Sequence, residues 1–466
     1  MRYLPQKEKI GVPVTFILSG YHENQPLVSM SGFFLFPFRL KAYKVIINFM
    51  SKPHIVIVGA GFGGLYTARH LAPFVKKNKI DITLINKTNY FLFTPLLHEV
   101  ATGGLRPTSV SEPIREIFKN SGITIYQDIV SSINPKDKKV VTTGCEINYD
   151  YLVLATGAET NYYGIEGAKD NTLGLKNLDD AVKIRSQIID SFEKATLSKD
   201  EEERKKLLTF VVIGGGPTGV ETVSEIAEFA GEIKNRYYKG EKRYHVKDIS
   251  IYLVDTADTI LRPFNKKIQK IATTRLEKMG ITLMLSKKVS SVKPQKIIFD
   301  EGEPLSAGTI VWATGVTPVP PKCIEHEPSI LGGRMETDSF LRMIGLADVF
   351  ILGDSACVNQ GENVPPPPML AQVAVAEAEF VAKNIMATIK KKKLKSFIYK
   401  SKGTLVSLGQ WYATGEVFSV VISGKIAWWI WRTVYLFKFL SWQKRFHIAF
   451  EWTLDIFYPR DITKIR

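Results

Sequence analysis

The chain has 466 residues, enough for two or three domains, and its 45% apolar and 23% charged content is that of an ordinary globular protein. Its formal net charge of +16 is out of the ordinary and points to an anionic partner, either nucleic acid or an anionic membrane surface. Three widely separated cysteines without a C-x-x-C pair, and seven histidines without ligand spacing, argue against a disulfide framework or a zinc site.

Residues 1–49 stand apart. Within them "SGFFLFPFRLKAYKVIINF" (31–49) is apolar but interrupted by Arg39, Lys41 and Lys44, and it has no small-residue cleavage site. It is a poor signal peptide and a poor membrane span. Met50 immediately precedes "SKPHIVIVGAG", so the extension is expected to lie outside the main fold.

The main fold opens on "HIVIVGAGFGG" (54–64), and the same kind of turn recurs in "FVVIGGGPTGV" (210–220). Either copy alone fits glycines that merely turn an α/β loop. Their surroundings match as well. Each follows a β-rich run and leads into a helical segment, "GLYTARHLAPFV" in one and "GVETVSEIAEFAGEI" in the other. A further strand comes next, "IDITLIN" ending at Asn86 and "DISIYLVD" ending at Asp255. Each unit then closes on a shared signature, "YLVLATGAE" (151–159) and "TIVWATGVT" (309–317). From Gly59 to Gly157 is 98 positions, and from Gly214 to Gly315 is 101. Agreement over two separated motifs points to an internal duplication of a dinucleotide-binding unit.

Geometry gives each glycine a role. Gly59 and Gly214 permit the tight turn, Gly61 and Gly216 let the backbone approach a pyrophosphate, and Gly64 and Gly219 let helix pack on strand. The helix N-terminus then offers free N–H groups and the positive end of its dipole to the anion.

Between the paired motifs, "SSINPKDKKVVTTGCEINYDYLVLATG" and "SKKVSSVKPQKIIFDEGEPLSAGTIVWATG" each read as a small β-meander inserted before the last strand of the unit. The polar segment "KNRYYKGEKRYHVK" reads as an exposed loop, and "LADVFILGDSACV" (346–358) as a buried strand ending in Gly-Asp. A Pro-rich stop and a helix follow over 365–385, and the lysine run 390–393 reads as a solvated helix end or linker.

Two dinucleotide folds, an A-T-G closing each, and a later Gly-Asp strand resemble the two-dinucleotide-binding-domain flavoproteins. Within that superfamily the chain is similar to type II NADH dehydrogenases, the single-chain, non-proton-pumping NADH:quinone oxidoreductases. The matching stretches are "NKTNYFLFTPLLHEVATGGL" (86–105), "GGGPTGVE" (214–221), "AQVAVAEAEFVAKNI" (371–385), "YKSKGTLVSLG" (399–409) and the aromatic tail. The resemblance covers roughly residues 52–466. It implies an α/β fold with two Rossmann-like domains, for FAD and NADH, and a C-terminal amphipathic helical segment that binds the membrane. The implied division is an N-terminal extension 1–49, an FAD domain in segments 50–172 and 319–395, an NADH domain 173–318, and a membrane-association region 396–466.

By the same resemblance Gly59, Gly61, Gly64, Asn86, Lys87, Ala155, Thr156, Gly157, Gly353 and Asp354 form the site for one non-covalent FAD, with Asp354 on the ribityl chain. Gly214, Gly216, Gly219, Asp255 and Gly315 form the NADH site. Asp255 accepts ribose hydroxyls and repels a 2′-phosphate, which favours NADH over NADPH. Asn86 departs from the acidic residue usual at the equivalent position, and loss of a charge-assisted hydrogen bond there weakens the FAD contact by about 1 kcal/mol. Glu221 is expected in the first helical turn, facing nicotinamide and flavin beyond a mere dipole complement. Gln372 is expected at the flavin edge by the quinone mouth, and Lys402 to reach the same pocket or stand as an exposed loop lysine. Ala376 replaces a glutamine common in the family.

The tail accounts for the charge. "AWWIWRTVYLFKFLSWQKRFHIAFEW" mixes aromatics with Lys438, Lys444 and Arg445, and its uncharged runs are too short to span a bilayer. It is expected to lie in the interface of an anionic membrane, on the cytoplasmic face of the inner membrane, with access to membrane quinone. A buried helix pair or a homodimer seam is the competing use of that surface. Nucleic acid is disfavoured because no recognised binding motif accompanies the charge. The rival chemistries are a sulfide:quinone or disulfide reductase, which needs paired redox cysteines, and a membrane flavoprotein without turnover.

Overall fold

The computed structural model describes residues 52–238, 249–361, 364–401 and 403–464; residues 1–49 and Lys402 lie outside the described residues. Continuous β-branched runs build two parallel sheets whose central strands are buried on both faces, as such runs require. In the first, the strand order is Val349–Ile351, Tyr151–Leu154, His54–Val58, Asp81–Asn86, Thr124–Gln127. In the second it is Leu173–Gly174, Thr309–Trp312, Thr209–Ile213, Ser250–Val254, Ile281–Met284. The strand before the glycine turn is central in each. The A-T-G strand lies on one side of it and the strand ending at, or just before, Asn86 or Asp255 on the other.

The two sheets recruit their outermost strand differently. The first takes Val349–Ile351 from beyond the second unit, while the second takes Leu173–Gly174 from just before its own turn. The first unit is therefore discontinuous in sequence. Immediately after the two A-T-G glycines, Ala158–Thr160 and Val316–Pro318 pair antiparallel, with Ala158 opposite Pro318 and Thr160 opposite Val316. The units are thus joined through equivalent residues. Each also carries its three-stranded meander: Val130–Asn134, Lys139–Thr142 and Glu146–Asn148 in one, Val289–Lys293, Lys296–Phe299 and Leu305–Ser306 in the other.

Four helices position the glycine turns. Helix α1 (Phe62–Lys76) follows the first, α2 (Leu178–Leu197) flanks the second sheet with an Asn177 capping box, and α3 (Pro217–Tyr237) follows the second turn. Helix α4 (Ala371–Ile389) packs against α1 and ends at the exposed lysine run. The exposed loop expected from Lys234 onward is corrected in part: α3 continues to Tyr237 and buries Lys234, and residues 239–248 lie outside the described residues.

The C-terminal region is a three-stranded antiparallel sheet, Gly403–Ser407, Ala413–Val417 and Val420–Gly424, followed by α5 (Lys425–Lys438) and α6 (Trp442–Phe457). Trp428, Trp431 and Trp452 point inward and are at most 5% exposed. Each such indole removes roughly 200 Å² from water, on the order of 5 kcal/mol before its ordering entropy. The opposite faces carry Ile426, Trp429, Phe437, Trp442, Phe446 and Phe450, all exposed. Among the described residues no helix is long and apolar enough to cross a membrane.

Candidate active site

The two glycine turns are near copies at atomic detail. Gly59 and Gly214 have φ of +96° and +119°, in the region that excludes most side chains, and a Cβ on either would overlap the carbonyl of Ala155 or Ala313. A Cβ on Gly64 would overlap the Gly59 carbonyl, and one on Gly219 the Gly214 carbonyl. At the middle glycines the result reverses: a Cβ on Gly61 or Gly216 would meet no protein atom within 4 Å. The protein itself leaves room at these two positions. Both are the N-caps of their helices, without a side-chain cap, so first-turn N–H groups face a ready anion site.

Asn86 and Asp255 also do the same local work. The Ala60 N–H donates to Asn86 Oδ1 at 2.8 Å, and the Gly215 N–H donates to Asp255 Oδ2. Asp255 Oδ1 further accepts from Ala257 N at 2.7 Å, whereas Asn86 Nδ2 donates to the Thr88 carbonyl and hydroxyl at 2.9 and 3.0 Å. Asn86 therefore uses its amide donor within its own turn. Lys87, next to it, is exposed.

The A-T-G and Gly-Asp loops of the first unit are knitted together. Thr156 Oγ1 and Ser355 Oγ lie 3.0 Å apart, and Ser355 donates to the Gly157 carbonyl at 3.1 Å. Asp354 sits beside this junction, 3.4 Å from Lys176 Nζ. Gly353, with φ of +73°, donates its N–H at 2.6 Å to Glu377, a carboxyl that burial pushes up to about 8. In the second unit Gly315 has its face covered by the Tyr163 hydroxyl.

Glu221 is the fifth residue of α3, in its second turn, which corrects the expected first-turn position and weakens a pure dipole role. It is 8% exposed, and its Oε1 accepts from the Ser407 N–H at 3.1 Å. Burial is the largest cause of a rise to about 8, with Glu99 and Glu225 adding to it, so the side chain holds a proton at neutral pH. His98 Nδ1 lies 3.8 Å from Glu221 Oε2, but burial lowers this histidine to about 4. Both groups are neutral, and the contact is not an ion pair.

Gln372 is the second residue of α4 and half buried, on a different helix from Glu221 and without a hydrogen bond to it. The structure thus brings together the glycines of each turn with their A-T-G loops, and Glu221 with the C-terminal sheet. Cys145, Cys323 and Cys357 are all free, and burial raises the latter two thiols, which disfavours the reactive thiolate a disulfide reductase needs.

Sequence reading missed a buried charged cluster. Arg432 lies between Trp428 and Trp452, 3.9 and 4.6 Å from their ring centres. Arg460 Nη2 approaches Glu225 at 2.8 Å and Glu228 at 3.7 Å, while its Nε lies 3.8 Å from Glu232. The four-, three-, four-residue spacing of Glu221, Glu225, Glu228 and Glu232 was the signal available in the sequence.

Comparisons agree with this architecture. The family model described as pyridine nucleotide-disulphide oxidoreductase matches residues 53–378, and the NDH2 C-terminal domain matches 401–461. The chain is 31% identical to the internal alternative NAD(P)H-ubiquinone oxidoreductase A1, mitochondrial, of Arabidopsis thaliana, covering 89% of this chain and 86% of that one. It is 32% identical to the type II NADH:quinone oxidoreductase Ndh of Mycobacterium tuberculosis, covering 88% and 89% respectively. The solved structure of NDH2 from Plasmodium falciparum in complex with NADH superposes with a TM-score of 0.81 at 26% identity, covering 89% of this chain and 100% of that chain.

Proposed function

Because this chain belongs to the type II NADH:quinone oxidoreductases, within the pyridine nucleotide-disulphide oxidoreductase family, we propose that it moves a hydride from NADH to one non-covalent FAD and two electrons onward to a membrane quinone. The observation that carries the reading is the pair of middle glycines, Gly61 and Gly216, each open to a ligand on an uncapped helix N-terminus. Gly59, Gly61 and Gly64 hold the FAD pyrophosphate, with Asn86 and Lys87 at the adenosine end. Ala155, Thr156, Gly157, Gly353 and Asp354 serve the flavin end. Gly214, Gly216, Gly219, Asp255 and Gly315 hold NADH. When bound, the flavin accepts a hydride and releases electrons to the quinone. The protein positions both partners, and Glu221, neutral and buried, holds a proton beside the second nucleotide turn. Gln372 and Lys402 serve the quinone side.

The domain division follows the same assignment: FAD unit 50–172 and 319–395, NADH unit 173–318, membrane region 396–466. The outward aromatic faces of α5 and α6 give a peripheral attachment to an anionic membrane, on the leaflet facing the NADH pool, assigned here to the cytoplasmic face of the inner membrane. A homodimer seam is the competing use of those faces. In the test, NADH should bleach the visible absorbance of the purified protein without oxygen, and a quinone in anionic liposomes should restore it. A protein without flavin, or one that NADH leaves oxidised, contradicts the reading. Replacing Trp429, Phe437 and Phe446 by serine should release it from the liposomes; dimer dissociation without release would assign the faces to a dimer.

A further inference from the structure

The two A-T-G loops differ at their glycine. A Cβ on Gly157 would meet nothing within 4 Å, whereas one on Gly315 would lie 2.6 Å from the Tyr163 hydroxyl. The cover over the second loop comes from the chain segment that leaves the first unit. Just past Ala158–Thr160, the strand that pairs with Val316–Pro318, Asn161 fastens this segment to the loop. Its N–H donates to the Gly315 carbonyl at 3.1 Å, and its carbonyl accepts from Trp312 Nε1 at 2.8 Å and Thr314 Oγ1 at 3.3 Å. Tyr162 is anchored as well, its ring centre 5.8 Å from that of buried Trp312.

Tyr163 is held differently. It is the second residue of a tight turn, closed by the Ile165 N–H on the Tyr162 carbonyl at 3.0 Å. Tyr163 and Gly164 have φ of +51° and +68°, a left-handed pair of the kind a type I′ turn uses, where Asn, Asp or Gly is the favoured first member. A tyrosine there is conformationally strained. Its N–H donates to Asn161 Oδ1 at 2.8 Å, so the backbone is fixed. The side chain is not: it is 60% exposed, and its hydroxyl reaches the Thr314 carbonyl at 3.5 Å, a long and weak hydrogen bond. Rotation about its own side-chain bonds uncovers Gly315 without moving the turn.

We propose that Tyr163 is a movable gate over the nicotinamide end of the second nucleotide site, which NADH must displace to bind. The gate rests on the reading above that the second unit holds NADH. In that reading the A-T-G loop of the first unit serves the flavin end of FAD, and by the duplication Ala313, Thr314 and Gly315 serve the nicotinamide end of NADH. A phenol lying on Gly315 and a nicotinamide ribose approaching it compete for one space. A site open for only part of the time binds with an apparent affinity lowered by the open fraction. The adenosine end escapes this competition, because Gly216 and Asp255 belong to the glycine turn and the strand beside it. No bond is made or broken at the gate; it sets access, and hydride transfer follows once it is open.

The test follows flavin reduction by NADH in rapid mixing, without oxygen, on the full-length, flavin-loaded protein. The saturation curve gives an apparent Kd for NADH and a limiting rate. Tyr163→Phe removes the hydroxyl that covers Gly315; Tyr163→Asn removes the ring and suits the left-handed turn. The apparent Kd should fall about threefold in Tyr163→Phe and about fivefold or more in Tyr163→Asn, with the limiting rate within about twofold of native. ADP, which carries the adenosine end alone, should compete with NADH at an inhibition constant within about twofold of native in both variants. A tyrosine that merely props the loop gives the opposite sign, since its loss loosens the site and weakens NADH binding. Unchanged or weaker NADH binding in Tyr163→Asn overturns the gate, as does an equal tightening of ADP. Should Tyr163→Asn lose its flavin, Tyr163→Phe decides by the same comparison. A native protein whose flavin NADH leaves oxidised, or in which ADP does not compete with NADH, removes the premise, and the gate with it, before any variant is made.

Discussion

The two nucleotide units share a turn and differ in what surrounds it. Both overlap a carbonyl at the first and third glycine positions and leave the second open. Both close the turn onto a side chain at the end of the neighbouring strand, an amide in one and a carboxylate in the other. Their helices then diverge. Helix α1 buries an apolar face and carries no acid along its length, whereas α3 carries a carboxylate stripe against the C-terminal region. A duplicated unit keeps what its backbone needs and changes what its ligand and neighbours need.

The largest break in that symmetry should come from the third glycines. Gly219→Ala drives a Cβ into the Gly214 carbonyl and Gly64→Ala drives one into the Gly59 carbonyl, so each should cost about 3 kcal/mol or more, read by denaturant unfolding. Equal stability to the native chain in either variant would show the turn to be more compliant than its geometry implies.

Changing the closing residue of the second unit should alter the choice of nucleotide. Asp255→Ser with an arginine at Thr256 should shift the ratio of kcat/KM for NADPH over NADH by about tenfold or more. A native protein that already prefers NADPH would contradict the role given to Asp255.

A pH effect reads the Gly-Asp loop of the first unit through one carboxyl. Glu377 binds its proton more tightly folded (about 8) than unfolded (4.5), so its share of stability is complete below pH 4.5 and is lost as pH rises through about 8. Glu377→Gln keeps an oxygen for the Gly353 N–H and should flatten the decline in unfolding midpoint between pH 5 and 8.5. An unchanged slope would mean that this carboxyl does not titrate across the window.

The smallest effect should come from Asn86→Asp. The charge strengthens the bond from Ala60 N–H but forfeits both donations to Thr88 and sets a carboxylate against a carbonyl. FAD affinity should therefore move by less than about 1 kcal/mol. This revises the expectation that asparagine is the poorer residue here; tenfold tighter binding by the variant would restore it.

The paired turns, the A-T-G strands and the Gly-Asp loop were legible because short-range rules fix them: glycine where the backbone needs it, β-branched runs where strands are buried. The tail was legible as amphipathic, but its attachment was not. Sequence alone treats a cut near residue 400 as leaving both units whole. In the structure that cut removes the Ser407 N–H from Glu221 and Arg460 from three glutamates, contacts separated by almost 190 positions or more. No local pattern announces such partners. The glutamate spacing on α3 was readable, yet its burial depends on elements arriving from the far end of the chain.

The central claim is that the first turn holds the flavin and the second holds NADH. Gly61→Ala and Gly216→Ala test it most directly, because neither added methyl meets the protein and each would meet a bound pyrophosphate. The measurement is flavin content after purification together with the rate at which NADH bleaches whatever flavin remains. Gly61→Ala should lose flavin, whereas Gly216→Ala should keep it and be reduced by NADH at least about tenfold more slowly at limiting concentration. Retained flavin in Gly61→Ala with flavin lost from Gly216→Ala would contradict the assignment of the two sites.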